Sequence, residues 1–532
     1  MTDDLLADVE AAAGLAVYGG PATASRRELV AHGIPGLLAG KDPTLWGPAA
    51  EGRALSRLGF LDAYRRGSEL LPLIAELHEE LVDLSNVVLA GPGLAAGAVA
   101  RTLGRPLTVL DDPDPHRVRA LLDDTELLRR TVVILTGENP RGENPPSGNP
   151  RGESPGGKNP RGESPGESSG GEAPAREALA SVFWQAYRDL GLTAAEAGRH
   201  FVVLGDPPPE LAAAGAVAVP TGSGALSAAT LLPAAFAGVD VAELIDEAEL
   251  FAPSLAGEGD NPALALGVAL ATAGRVLLIP DGSGLDGLGE WAADLITGGL
   301  GVPVIVAESP QEAGAATDDT LAVTYGGCLP PYAVPGAGAR PAMAVNGPLG
   351  GHFLAWPYAV ALAAHMRGVD PFRDFPAESA DPVPGAPSFV EGPVEIFTTG
   401  TATSLAAALR ELLADMDDHL CVQAFLDPVG DAAVAGLRPR LAAASGRPVG
   451  FGWGQYHRGG SLHGSFLQIT GLVTGDVPVP GRERTLGGLQ ASRAAGDRQS
   501  LTRRGRPLLH LHLTDRTQGV GRLLAAADML LH

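Results

Sequence analysis

The sequence predicts an α/β protein with two doubly wound parallel sheets, a C-terminal segment and a disordered insertion. Short apolar runs typical of buried strands recur from residue 86 onward, with helical patterns between them. Such alternation is typical of βαβ units, which build parallel sheets. At 532 residues the chain is longer than one hydrophobic core usually allows, so we expect at least two domains.

The apolar runs divide the chain into four parts. We expect an N-terminal segment (1–55, helical between 5 and 15), a first α/β domain (56–250), a second α/β domain (251–440) and a C-terminal segment (441–532). The expected strands are 86–91, 107–110, 131–135, 201–204, 216–219, 275–279, 302–306, 395–398, 420–425, 465–470 and 508–513. Helices are expected at 261–273, 288–295, 358–366, 405–416 and 489–501.

An insertion of different composition interrupts the first domain between residues 136 and 174. The pentapeptide Asn-Pro-Arg-Gly-Glu begins at Asn139, Asn149 and Asn159, and the sequence around it is almost entirely Gly, Pro and polar residues. Such a segment has no apolar positions with which to build a core. We therefore expect it to be disordered.

Composition and charge exclude several classes of function. The chain has 38 Lys and Arg against 62 Asp and Glu, a net charge of −24. An acidic surface repels nucleic acid and anionic lipid, so neither is expected as a partner. The two cysteines, Cys328 and Cys421, are too few for a disulfide framework or a cysteine-based metal site. No apolar run reaches the roughly 18 residues of a membrane span, and no signal peptide is evident, so we expect a cytoplasmic protein without metal or cofactor.

One glycine-rich stretch near the C-terminus combines a flexible backbone with polar side chains. Residues 450–471 read GFGWGQYHRGGSLHGSFLQITG, a glycine loop leading into an apolar strand. Gln455, His457 and Arg458 on this loop are able to contact a sugar or a phosphate. A tight surface turn with incidental polar residues is the alternative interpretation.

This stretch resembles the C-terminal motif of glucose-6-phosphate isomerases, in particular the bacterial form also found fused to transaldolase. Gly454, Gln455, His457 and residues 466–470 match that motif, whereas the family's lysine is Arg458 here. Partial matches follow at 42–46, 237–240, 261–264, 281–283, 349–351 and 368–372. The resemblance implies two sugar-isomerase (SIS-like) domains with the active site between them. It also implies a homodimer that interconverts glucose 6-phosphate and fructose 6-phosphate in glycolysis and gluconeogenesis.

The same resemblance implies that most of the catalytic groups are missing. The family's Ser/Thr-rich phosphate loop should follow strand 131–135, but here Thr136 leads into the insertion. The segment that carries the family's arginine aligns with 221–228, which contains no arginine. Ser223 and Ser227 of this segment are substrate-binding candidates, although helix capping explains them equally well.

The catalytic base of the family aligns with Gly298, and its lysine with Val302. Asp294 lies one helical turn before Gly298 and is the candidate replacement for the base. His352 stands in a segment that contacts sugar in the family, so it is a further substrate-binding candidate. A structural histidine is the alternative interpretation.

Three hypotheses about function follow. The first is a glucose-6-phosphate isomerase family protein with little or no isomerase activity, because base, arginine, phosphate loop and lysine are replaced. The second is an active isomerase with a rebuilt site that uses His457, Arg458 and either Asp294 or His352. The third is a binding module for a small acidic metabolite in the same cleft. Whether the protein is an enzyme is open, and the expected ligand is a sugar phosphate or another small anion.

Overall fold

The computed structural model describes residues 9–19, 24–112, 114–136, 172–308, 319–327, 342–373, 379–382, 385–416, 418–454 and 464–531. Most of the expected insertion, from 137 to 171, therefore lies outside the described residues.

The described strands are β1 (Val9–Ala12), β2 (Leu15–Tyr18), β3 (Asn86–Ala90), β4 (Thr108–Leu110), β5 (Thr131–Leu135), β6 (Phe201–Leu204), β7 (Val217–Val219), β8 (Arg275–Pro280), β9 (Val304–Val306), β10 (Thr320–Gly326), β11 (Ala342–Asn346), β12 (Phe389–Glu391), β13 (Val394–Phe397), β14 (Leu420–Phe425), β15 (Val449–Trp453), β16 (Ser465–Gly471) and β17 (Leu508–Leu513).

The described helices are α1 (Ala24–Ala31), α2 (Ile34–Ala39), α3 (Glu51–Arg57), α4 (Ala63–Glu80), α5 (Leu94–Thr102), α6 (Pro115–Asp123), α7 (Thr125–Arg129), α8 (Glu172–Asp189), α9 (Ala194–Gly198), α10 (Pro209–Ala213), α11 (Ala228–Phe236), α12 (Val241–Phe251), α13 (Pro262–Thr272), α14 (Leu288–Leu300), α15 (Leu349–Arg367), α16 (Leu405–Ala414), α17 (Leu437–Ser445), α18 (Leu486–Arg503) and α19 (Arg516–Asp528).

The first sheet is fully parallel, with the strand order β4-β3-β5-β6-β7. Successive residues of its central strands enter different cores: Val88 and Val133 pack on one face, and Leu89 and Ile134 on the other. Burial on both faces explains why these strands are continuous apolar runs in the sequence. The predicted α/β class with parallel sheets is confirmed.

The second sheet has the order β1-β2-β11-β10-β8-β9, with an antiparallel hairpin, β1-β2, added at one edge. The helical pattern expected between 5 and 15 is wrong for the described part of that range. Gly14 turns the chain at a φ of +83°, which favours glycine. Beyond it Leu15 and Val17 are buried while Ala16 and Tyr18 are only half-buried, a period of two that fits a strand.

The largest core lies between the first and second sheets, around α15. This helix is longer than the predicted 358–366, and its residues from Leu349 to Ala364 are buried on every side. Helices α12, α13 and α14 pack against it. A helix that is apolar all round belongs inside a core, so α15 joins the two sheets.

A third sheet, β12-β13-β17-β16-β14-β15, is formed by residues 389–513. Its strands come from both sides of residue 440, since β14 pairs with both β15 and β16. Helices α16, α17 and α19 cover one face, and α18 lies over the other. The limits of the four predicted parts stay a prediction.

Buried polar contacts join the end of β4 to the C-terminal helices. Asp114 Oδ1 accepts from the backbone N–H groups of His116 (2.9 Å) and Arg117 (3.1 Å), which caps α6. Its Oδ2 accepts from Gln490 Nε2 (3.0 Å), and Arg516 Nη1 lies 3.6 Å from the same oxygen. The Asp114 carboxylate therefore caps the N-terminus of α6 and also contacts α18 and α19.

Asp112 makes a second contact of this kind. Arg493 Nη1 lies 3.1 Å from Asp112 Oδ1, and Gln490 Nε2 lies 3.1 Å from Oδ2. Burial raises the pKa of the Asp112 carboxyl, and the Arg493 charge opposes this rise.

No helix in the described part of the chain combines the length and the apolar character needed to cross a membrane.

Replacing Asp114 by Ala should destabilise the protein by about 2 kcal/mol, because it removes a helix cap and a hydrogen-bond partner of the buried Gln490, while Arg516 keeps Asp431 at 3.0 Å. Urea unfolding monitored by circular dichroism measures this change. Asp123→Ala is the matched control: its carboxylate is 66% exposed and lies 3.9 Å from Arg119. It should change stability by less than about 0.5 kcal/mol. Equal losses in the free energy of unfolding for the two variants would contradict the structural role assigned to Asp114.

Candidate functional site

A small polar cavity of about 230 Å³ lies beside the carboxyl end of β7. Ligands of open parallel sheets bind beyond the carboxyl ends of the strands, so the location is typical of a site. The cavity is lined by Lys41, Leu55, Ser56, Leu58, Gly59, Arg66, Thr221, Gly222 and Ser223.

Three separate parts of the chain bring these residues together. Lys41 follows the last turn of α2, Arg66 lies in the first turn of α4, and residues 221–223 follow β7. Gly224 allows the last segment to pack closely, since a Cβ there would lie 2.7 Å from Phe60 Cβ. Its φ of +87° also favours glycine.

The cavity presents two cations and three hydroxyl groups. Lys41 also forms an ion pair with Asp62, which anchors its ammonium group. Its backbone has a φ of +62°, a conformation that residues other than glycine rarely adopt. Such backbone outliers concentrate at functional sites, where the surrounding structure holds them. None of the described lining residues is a carboxylate, so the cavity suits an anion.

The structure places the two candidate serines differently. Ser223 lines the cavity together with Lys41 and Arg66. Ser227 is 6% exposed and precedes the first residue of α11, but its side chain makes no capping hydrogen bond and it does not line the cavity. A role of either serine in substrate binding stays a prediction.

Asp294 lies in the middle of α14 and is half-buried. It is not among the lining residues of the polar cavity. Val302, at the position of the family's lysine, is 2% exposed and belongs to the main core. The role of Asp294 as a replacement base stays a prediction.

His352 is fully buried within α15. Trp356 Nε1 donates to its Nδ1 (3.0 Å), and its Nε2 lies 3.4 Å from the backbone oxygen of Gly326. Burial lowers the pKa of His352 to about 4, so the ring is neutral near pH 7 and its proton resides on Nε2. Both ring nitrogens therefore face partners inside the core. Substrate binding by His352 stays a prediction.

The switch point of the first sheet lies between β3 and β5, where Gly91 and Thr136 meet. The Thr136 hydroxyl is 3.2 Å from the backbone oxygen of Pro92, to which it donates. Gly91 has a φ of +120°, and a Cβ there would lie 2.5 Å from the Thr136 oxygens. This threonine hydroxyl is thus engaged by the neighbouring loop rather than presented to a ligand.

Gln455, His457 and Arg458 lie outside the described residues, as does the rest of 455–463. The preceding residue, Gly454, is buried against the end of β4, where a Cβ would approach Asp112 Oδ2 to 3.2 Å. The roles of the three candidates stay predictions, and so does a homodimer.

Sequence reasoning missed Lys41, Ser56, Arg66 and Thr221 as members of a site. Lys41 directly precedes the matching segment 42–46, which was the available signal. No sequence signal identified Arg66, because an arginine on an amphipathic helix usually lies in solvent rather than in a site.

Comparison with solved structures identifies the fold. A glucose-6-phosphate isomerase from Chlamydia trachomatis superimposes with a TM-score of 0.50 at 13% identity, covering 70% of this chain and 88% of that one. A hypothetical protein from Thermus thermophilus gives a TM-score of 0.49 at 20% identity, covering 65% and 93%. The C-terminal domain of a glucosamine-fructose-6-phosphate aminotransferase from Francisella tularensis gives 0.31 at 10% identity, covering 59% and 96%. The first of these shows that the chain has a sugar-isomerase-like fold.

No protein-family model matches the chain, and no curated protein matches it either.

His352 should make the protein sensitive to acid. The unfolded chain takes up a proton on this ring below about pH 6.5, whereas the folded chain does so only near pH 4. Stability is therefore lost as the pH falls between these values, by about 2 kcal/mol from pH 7 to pH 5.

Urea unfolding at a series of pH values measures this loss for the natural chain and for His352→Gln, whose side chain does not titrate. The variant should lose about 2 kcal/mol less than the natural chain over the same interval. Parallel pH profiles for the two proteins would show that His352 is not the responsible group.

Proposed function

We propose that the chain is a sugar-phosphate-binding protein of sugar-isomerase-like fold with little or no isomerase activity. The observation that carries the proposal is the polar cavity in which Lys41, Arg66, Thr221 and Ser223 converge. Cationic and hydroxyl donors around one small space are the usual means of holding a phosphate group.

The charges in the cavity support an anionic ligand. Arg66 presents a planar fork of N–H donors, which matches the oxygens of a phosphate. Lys41 adds a second cation, although Asp62 offsets part of its charge. The volume of about 230 Å³ accommodates a phosphate group and part of its sugar, with the remainder extending into solvent.

Two stretches of resemblance support a sugar phosphate over other anions. The segment 42–46 begins next to Lys41, and the segment 221–228 contributes Thr221 and Ser223. They are far apart in the sequence, yet the residue just before the first segment and the first residues of the second line one cavity. The fold of the Chlamydia trachomatis isomerase adds to this support.

The chemistry of the cavity argues against efficient isomerisation. Interconversion of an aldose and a ketose phosphate requires a base that moves a proton between C2 and C1. The cavity has neither a carboxylate nor an imidazole among its described lining residues. Gly298 and the buried Val302 replace the base and lysine that the resemblance implies. We therefore infer that any role linked to glycolysis or gluconeogenesis depends on binding rather than turnover.

Isothermal titration calorimetry with fructose 6-phosphate tests the binding. Arg66→Gln removes the charged fork and should weaken binding by about tenfold or more. The control is Arg65→Gln, one position earlier in α4, where the side chain is exposed and does not line the cavity. It should keep the affinity within about twofold. Binding that is absent from the natural chain, or unaffected by Arg66→Gln, would rule the proposed site out.

A coupled assay tests the absence of isomerisation. Fructose 6-phosphate is supplied to purified protein, and formation of glucose 6-phosphate is followed through NADPH absorbance. The control is the double variant Asp294→Asn, Arg458→Ala, purified identically, which reports host isomerase carried through the purification. The two rates should agree. A rate well above that of the control would instead favour an active isomerase with a rebuilt site.

A further inference from the structure

A second, larger cavity of about 1100 Å³ lies on the face of the third sheet that α18 covers. Its floor is formed by β13, β16 and β17, and its roof by one face of α18. It shares no lining residue with the small polar cavity. It also contains none of the residues from which the proposed function was argued.

The floor of this cavity carries two neutral imidazoles joined by a hydroxyl. Thr470 Oγ1 lies 2.9 Å from His510 Nε2 and 2.9 Å from His512 Nδ1. The His510 ring stacks on Phe397 with a centroid distance of 4.8 Å. Burial lowers the pKa of His510 to about 3 and lowers that of His512, so both rings are uncharged near pH 7. This part of the floor therefore presents flat, weakly polar surfaces.

The roof is lined by small residues, polar residues and two of the arginines, Arg498 and Arg503. Gly487, Ala491, Ala494 and Arg498 recur at helical spacing along α18, so they share one face of the helix. Ala491 is the exposed small residue of this row, since Ala494 is 1% exposed and a Cβ at Gly487 would lie 2.6 Å from Asp476 Oδ2. Arg498 stands at the end of this row, and its Nη1 donates to the buried Gln468 Oε1 (2.6 Å).

The charges of the lining favour an anion in spite of the acidic chain. The cavity is bordered by three arginines and two carboxylates, Glu395 and Asp415. With neutral histidines this leaves an excess of one positive charge, whereas the whole chain has a net charge of −24. Burial lowers the pKa of Arg498, but a guanidinium stays protonated at any physiological pH. The negative charge of a bound ligand would therefore be balanced by the guanidinium of Arg498.

We propose that the cavity between α18 and the third sheet binds a small organic anion with a flat apolar body. The acidic group lies near Arg498, and the body packs between Ala491 on the roof and Phe397 and His510 on the floor. Mostly apolar linings with a few convergent polar groups are typical of sites for small organic ligands. The polar cavity near β7, by contrast, is too small and too charged for such a body.

Fluorescence titration with 8-anilinonaphthalene-1-sulfonate, which joins a flat apolar body to a sulfonate, tests the proposal. The expected result is one site per chain, with Arg498→Gln weakening the affinity about tenfold. Arg504→Gln is the matched control, because Arg504 is exposed just beyond α18 and does not line the cavity. It should leave the affinity unchanged. The uncharged analogue N-phenyl-1-naphthylamine should bind at least tenfold more weakly than the sulfonate.

Ala491→Trp provides a second variant that leaves the buried polar contacts intact. Ala491 is exposed at the mouth of the cavity, so an indole there should block the probe without lowering the melting temperature. Fructose 6-phosphate should not displace the probe, which separates this site from the proposed sugar-phosphate site. Equal binding of both probes, or full affinity in both Arg498→Gln and Ala491→Trp, would overturn the proposal.

Discussion

The arrangement of the first and third sheets depends on two carboxylates just beyond β4, the half-buried Asp112 and the buried Asp114. Asp112 and Asp114 meet Gln490 and Arg493 of α18 and Arg516 of α19. Buried charges of this kind are costly unless they are paired, so the contact tolerates little displacement. Since α18 also forms the roof of the large cavity, and Gln490 is one of the residues that line it, contacts made with the first sheet also hold that roof above its floor.

The sequence allowed the first sheet to be predicted almost strand by strand, since burial on both faces leaves a continuous apolar signature. The hairpin of β1 and β2 was missed because small apolar residues around Gly14 fit a helical pattern as well as a strand. The third sheet was not separated from the second, because the pairing of β14 with β16 joins residues 45 positions apart, such as Leu420 and Ser465. Local patterns contain no information about such pairing.

The candidate site was predictable only where a motif existed. Ser223 was identified from the resemblance, whereas Arg66 became evident only when folding placed it beside Thr221. His352 illustrates the converse. Its position in a motif suggested a ligand contact, but the structure surrounds it with Trp356 and Gly326. Whether a titratable side chain faces a cavity or a core depends on tertiary packing, which a single sequence does not reveal.

Leucines and histidines alternate along β17, and this alternation has a consequence for how the sequence can evolve. Leu509, Leu511 and Leu513 enter the core beneath α16 and α19, while His510 and His512 face the large cavity. Stability and ligand preference are therefore encoded in interleaved but separate positions of one strand. Substitutions at the two histidines can alter what the cavity accepts while the leucines preserve the fold, so this strand offers a route to new specificity at low structural risk.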